Sequence, residues 1–170
     1  MSPMELIIEE RVRRVKKAKR SVEEERRETV KRWQRLWSQS NKEKWTRKLI
    51  PGVPPWYYKA HEEINHFLTL LLTRHGDFNQ YLYRIGKIPS AMCQCGSEIE
   101  TAKRLFLECE RRRSERENMK LKIGLDINTD EIEGHMIRTE KQWDAVSEFA
   151  TRVLKRKINE ARDANAIPGE

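Results

Sequence analysis

Ile64-Asn65-His66-Phe67-Leu68-Thr69-Leu70-Leu71-Leu72-Thr73-Arg74-His75-Gly76 is the stretch that decides the fold class. Ile64, Phe67, Leu68, Leu71 and Leu72 recur at intervals of three and four residues, which places them on one face of an α-helix. The helix is expected to run from His61 to His75 and to form the centre of the core, with Leu68 and Leu71 nearly fully buried. Gly76 stands where a helix commonly stops. Asp77 is then the expected N-cap of a third, short helix carrying Phe78, Tyr81, Leu82 and Ile85, which Gly86 closes.

Downstream, Ile88 to Gly96 reads as an extended or turning segment that holds Pro89, Cys93 and Cys95. Ser97-Glu98-Ile99-Glu100 has the form of a capping box and is expected to open a helix through Leu105, Phe106 and Cys109 towards Met119. Residues 124–131 read as a linker, and a short helix is expected around 132–137. Thr139 to Gln142 is a second capping box. It starts a final helix with Trp143, Val146, Phe149, Ala150, Val153, Leu154 and Ile158 on one face, ending in a frayed tail from Asp163.

Upstream, residues 4–38 contain no Gly or Pro and read as one long helix. Its apolar positions, Val12, Val15, Val22, Val30, Trp33, Leu36 and Trp37, form only a thin stripe. The two tryptophans are one turn apart and are expected to dock this arm on the body. The connector that follows contains Pro51-Gly52-Val53-Pro54-Pro55, which cannot be helical throughout, and Trp45, Ile50, Trp56 and Tyr57 should pin it down. Strand signals are weak throughout. The expected fold is therefore all-α: a small helical domain with a zinc-knuckle-like turn and a long basic N-terminal helix. Its organisation is read as 1–38 (basic helix), 39–124 (body with the cysteine turn) and 125–170 (linker and C-terminal amphipathic helix).

Of the 170 residues 37% are apolar and 36% charged, so the core must be small relative to the surface. Lys and Arg outnumber Asp and Glu by 35 to 27, a net charge of +8 that suits a polyanionic partner. Between Glu9 and Arg35 twelve cations face six Glu. No apolar run is long enough to span a membrane. Leu6-Ile7-Ile8 is followed at once by two Glu, unlike a signal peptide. Three cysteines in a chain expected to be intracellular argue for metal chemistry over disulfides.

Cys93-Gln94-Cys95-Gly96 followed by Cys109 is the cluster with chemical content. Two thiolates on a turn, with further ligands from the next helix, are how small zinc sites are built. The position at which a Cys-Cys-His-Cys knuckle carries His is Arg104, which cannot ligate zinc. Three thiols without metal are thus the competing reading, and His75 is the candidate fourth ligand, against its ordinary role as a capping or core histidine. No nucleophile–base pair, phosphate loop or acidic dyad is visible, so no catalytic residue is assigned. Arg13, Arg14, Lys16, Lys17, Lys19, Arg20, Arg104, Arg111, Arg112 and Arg113 are the candidate phosphate contacts. Lys103, Arg116, Arg152, Lys155, Arg156 and Lys157 extend the same basic runs. Trp56, Tyr57, Tyr58 and Tyr83 could stack on bases.

The series Trp33-Gln34 with Trp37, Trp45-Thr46 with Leu49-Ile50-Pro51, Leu72-Thr73-x-His75-Gly76-x-Phe78-x-x-Tyr81-Leu82-x-Arg84, and Cys93-x-Cys95-Gly96 with Thr101 and Cys109 resembles the region after the reverse transcriptase domain in insect-type non-LTR retrotransposons. The likeness covers roughly Lys31 to Cys109, with a weaker echo at Trp143 to Lys155. It implies a helical C-terminal domain with a zinc knuckle, helping to bind the element's RNA or DNA target in the nucleus. Two positions depart from that pattern: Arg104 for the knuckle histidine, and Arg74 for the glycine before His-Gly. The parent polyprotein would be an RNA-directed DNA polymerase, but no polymerase or endonuclease motif lies in this chain. The expected function is non-catalytic RNA or DNA binding. The alternatives are a domesticated protein–protein interaction module, built on a coiled coil or partner docking, and a nonfunctional element remnant. The lost ligand and the chain's own Met1 fit a captured host gene.

Overall fold

A computed structural model describes residues 3–16, 21–40, 44–58, 64–124 and 139–166. The chain divides into two compact units, 1–60 and 61–170, so the connector belongs with the N-terminal helices. The expected helix at 132–137, the linker from 125, His61 at the start of the apolar helix and the last four residues lie outside the described residues. Among the described residues the structure is helical, and the one extended pairing is an isolated bridge between Met92 and Ile99.

In the first unit the expected single helix over 4–38 is two, α1 (Pro3–Lys16) and α2 (Val22–Gln39). Ser21 has φ −67° and ψ 157°, an extended conformation that ends any continuous helix. Its side chain accepts a hydrogen bond from the Glu24 amide at 3.2 Å, and the Glu24 carboxylate accepts one from the Ser21 amide at 2.8 Å. This capping box starts α2 afresh. The two helices pack on each other. Leu6 and Val30 are buried, whereas Val12, Val15 and Val22 of the expected stripe are exposed. Carboxylates make up for the thin apolar face. Buried Glu10 takes Arg26 at 2.9 Å and also pairs with Arg14; buried Glu25 takes Arg13 at 3.1 Å. Burial pushes the Glu10 carboxyl up, but hydrogen bonds from Arg26 and Thr29 and the neighbouring guanidinium charges outweigh it and hold it below the ordinary value.

The connector forms α3 (Lys44–Leu49) and α4 (Val53–Tyr58). Pro54 and Pro55 sit in the first turn of α4, where a missing N–H does no harm. One face of α2 holds this segment. The Trp37 indole donates to the Ile50 carbonyl at 2.7 Å, and Gln34 both donates to the Pro51 carbonyl at 3.1 Å and accepts from the Val53 amide at 2.6 Å. Trp33 meets Tyr57 edge to face. The tryptophans thus secure the connector within the first unit.

The second unit is built around α5 (His66–Thr73), capped by Asn65, whose side chain accepts from the Leu68 amide at 2.8 Å. Leu68, Leu71 and Leu72 are buried as expected. Arg74 closes the helix in the left-handed region, at φ 57°. Gly76 follows at φ 114°, where an added Cβ would meet a Leu70 methyl at 2.8 Å. The next helix, α6 (Asn79–Arg84), begins after Phe78, not Asp77, and has no local side-chain cap. Its first amides are satisfied from a distance: Asn79 N–H donates to the Glu100 carboxylate at 3.0 Å, and Gln80 N–H to the Glu100 carbonyl at 3.1 Å. Ser97 and Glu100 therefore do not form the expected capping box. Thr101 caps instead, accepting from the Arg104 amide at 3.0 Å.

The following helix is also shorter than expected. A π-helical turn, Arg104–Glu108, ends at Cys109 in an extended conformation, and a 3₁₀ turn leads to α7 (Arg113–Ile123). Thr139 caps α8 (Glu140–Ala166), which continues past the expected frayed point at Asp163. It packs on α5, α7 and the π turn. Phe78, Phe106 and Phe149 form a chain of rings through this core at 6.1 and 5.6 Å. Lys157 of α8 is buried and reaches Glu100 at 2.5 Å and the Asn79 side-chain oxygen at 2.6 Å. Lys157→Met should cost about 3–5 kcal/mol, because it strands a buried carboxylate. Adding Glu100→Gln should restore most of the loss in urea denaturation, since the amide oxygen still caps α6. Wild-type stability in the single variant would deny the pair this role.

Candidate functional site

Backbone bonds fold residues 91–100 into a tight turn. Cys93 N–H donates to the Glu98 carbonyl at 2.8 Å, Glu100 N–H to the Ala91 carbonyl at 2.9 Å, and Gly96 N–H to the Cys93 carbonyl at 2.8 Å. Gly96 has φ 80°, which favours glycine and brings the chain round after Cys95. The π turn delivers Cys109 from the other side. The sulfurs of Cys93, Cys95 and Cys109 lie within 4.8 Å of one another, and Cys93 and Cys109 are 3.6 Å apart. Thiolates on one tetrahedral zinc stand about 3.8 Å apart, so the three sulfurs suit three corners.

The surroundings of the three thiols differ. Cys93 and Cys109 are buried, and Cys95 is half-buried. Burial pushes the Cys93 thiol up to about 12. The Ser97 hydroxyl and amide hydrogen-bond to Cys95, with help from Cys93 and Arg104, and draw it down to about 6. Arg104 places one guanidinium nitrogen 3.8 Å from the Cys95 sulfur and also donates to the Ser97 hydroxyl. Its other nitrogen is 3.3 Å from Glu98. Arg104 thus supplies a cation that stabilises a Cys95 thiolate and offers no metal ligand. Among the described residues no fourth His, Cys, Asp or Glu joins the sulfur cluster. His75 is exposed and lies edge-on to Tyr81 at 5.5 Å. Ser97 was not singled out from the sequence as a thiol partner; its place two residues after Cys95 is the signal that could have found it.

The candidate phosphate contacts are placed less simply. Lys17, Lys19 and Arg20 lie outside the described residues, as does the side chain of Lys16. Arg13 and Arg14 serve the α1–α2 interface. Arg111 bonds the Gln94 carbonyl at 3.4 Å and stands 3.3 Å from Glu160. Arg112 is 1% exposed and forks onto Glu160, so it is a structural residue and does not face a phosphate. Burial would raise the Glu160 carboxyl, yet Arg112 and Arg111 hold it low. Arg113 is exposed beside an equally exposed Glu110, a weak pair that water screens.

Over 79 residues, 45% of this chain, the sequence is 34% identical to the retrovirus-related Pol polyprotein from type-1 retrotransposable element R1 of Bradysia coprophila. Over 139 residues, 78% of this chain, it is 25% identical to the corresponding polyprotein R1 2 of Nasonia vitripennis. The matches span 8% and 34% of those relatives' own lengths. No family model and no solved structure matches. The region is therefore retrotransposon-related.

Arg104→His replaces the guanidinium beside Cys95 with an imidazole, a group that can ligate zinc. It should raise zinc affinity and, with zinc present, the melting temperature, because metal binding is coupled to folding. Metal analysis after dialysis and a paired melt check this. One tightly held zinc per chain in the unaltered protein would show that the native set is already complete.

Proposed function

We propose that the chain is a non-catalytic nucleic-acid-binding module of retrotransposon origin, engaging RNA or DNA through phosphate contacts. The observation that carries this reading is the segregation of charge between the two units. Residues 1–60 hold seventeen Lys and Arg against eight Glu, whereas 61–170 hold eighteen against nineteen acidic residues. The whole surplus of +8 thus belongs to the first unit. A positive field concentrated in so short a stretch draws polyanions and speeds their encounter. Kinship with R1 polyproteins supports the reading, and work on a chromosomal target would place the protein in the nucleus. The thiol turn is read as a zinc knuckle whose fourth ligand Arg104 has replaced, holding zinc weakly or not at all. It serves as a structural staple.

One observation favours a second reading, a protein-interaction module. Met4, Ile8, Val12 and Val15 are exposed at near-heptad spacing along α1, as a coiled-coil seam would be.

Titration of the full chain with RNA, single-stranded DNA and duplex DNA at two salt concentrations separates the readings. Affinity should fall steeply with salt as released counterions are lost as a driving force. Removing 1–60 as a unit should weaken binding and make that dependence much shallower, while the remainder keeps its helical circular dichroism. Salt-independent binding, or none, would favour the interaction module. Metal-dependent cleavage of any of these substrates, abolished by one Asp or Glu substitution, would overturn the non-catalytic assignment.

A further inference from the structure

From Ile64 to Ser97 the chain carries a single acidic side chain, Asp77, against Arg74, Arg84 and Lys87. Elsewhere acids and bases alternate and, once folded, meet: Arg13, Arg14, Arg26 and Arg32 pair with glutamates in the first unit, as Arg112 and Arg156 do in the second. Arg74, Arg84 and Lys87 are exposed, and none of them is ion-paired among the described residues. Their charge is therefore not spent on neighbouring carboxylates.

One of these cations lies against a pair of rings. The Arg84 guanidinium lies over the Tyr81 ring, 5.2 Å from its centroid, and His75 meets the same ring edge-on. Tyr83, two residues on from Tyr81 and so on a different face of α6, is 54% exposed. The ledge is also held rigidly. Glu100 and Lys157 fix the start of α6, Asn79 donates to the Met92 carbonyl at 2.7 Å, and the Lys87 amide returns to the Leu82 carbonyl at 2.9 Å. A ligand that settles here has little backbone freedom to freeze.

We propose that α6 and the turn after it form a binding site for unpaired nucleotides, with Tyr83 as the stacking face for a base and Arg74, Arg84 and Lys87 as phosphate contacts. Bases in a duplex already stack on each other and cannot use such a face, so the site selects single strands. This inference rests on the nucleic-acid reading above and adds a second element to it. The first unit supplies sequence-independent charge, and α6 supplies the preference for an unpaired strand.

The test uses the full chain and three fluorescent probes: a short oligo(U), a short oligo(dT) and a short DNA duplex. Tyr83→Ala should weaken binding of both single strands about tenfold and leave duplex binding unchanged. Tyr83→Phe should keep wild-type affinity, because the ring and not the hydroxyl stacks. Lys87→Ala should make the salt dependence of single-strand binding shallower, as one phosphate contact is removed. A loss with oligo(U) alone would assign the site to RNA, and a loss with oligo(dT) alone to DNA. Unchanged single-strand binding in Tyr83→Ala, or an equal loss on the duplex, would overturn the site while leaving the charge-based function intact. If the unaltered chain binds none of the three probes, both proposals fall together.

Discussion

Lys157 extends from α8 into the layer between α6 and the thiol turn and ends on the Glu100 carboxylate. Both side chains are buried, at 6% and 1% exposure. Taking two charges out of water is expensive, and their attraction compensates only when the remaining polar atoms are also satisfied. Here they are. The same carboxylate oxygen takes the first amide of α6, and the ammonium also reaches the Asn79 side chain. Three elements distant in sequence are thereby placed together: the helix that carries Tyr83, the turn that carries Cys93 and Cys95, and the last helix of the core. Both candidate surfaces of the second unit depend on this arrangement.

The pair also marks the limit of what the sequence discloses. Periodicity found the core helix, because Leu68, Leu71 and Leu72 obey a local rule and are buried accordingly. It located the cysteine turn, because Gly96 and two nearby thiols are a local signature. The cap on α6 is not local: Glu100 lies twenty-one residues beyond Asn79, so Asp77 looked the better candidate. Arg112 likewise reads as one more surface cation until the fold brings Glu160 to it across forty-eight residues. The break at Ser21 is a different kind of miss. Its capping box was present in the sequence, but an unbroken run of strong helix formers on both sides concealed it.

The first unit shows how a poor apolar stripe can still hold two helices together. Glu10 and Glu25 are buried against guanidiniums from α1 and α2, and these ties complement the contact of Leu6 with its surroundings. The same cations that suggested a phosphate-binding arm are therefore partly committed inside the protein. The surplus that remains sets the field. Seventeen cations over eight glutamates leave residues 1–60 strongly positive even with those pairs in place. Residues that stand out in the sequence serve architecture as well. Gln34 and Trp37 hold the 50–53 segment, Trp33 meets Tyr57, and Arg104 reaches the Cys95 sulfur.

On the proposed function the molecule would meet nucleic acid through its first unit and through α6, while the α7–α8 ion-pair face is architecture. Amide chemical-shift mapping of the full chain during titration with a short single-stranded oligonucleotide tests it most directly. Perturbations are expected within residues 3–58 and around Arg74 to Lys87, with Arg112 and Glu160 unmoved. Perturbations centred on α7 and α8, or no perturbation at saturating oligonucleotide, would contradict it.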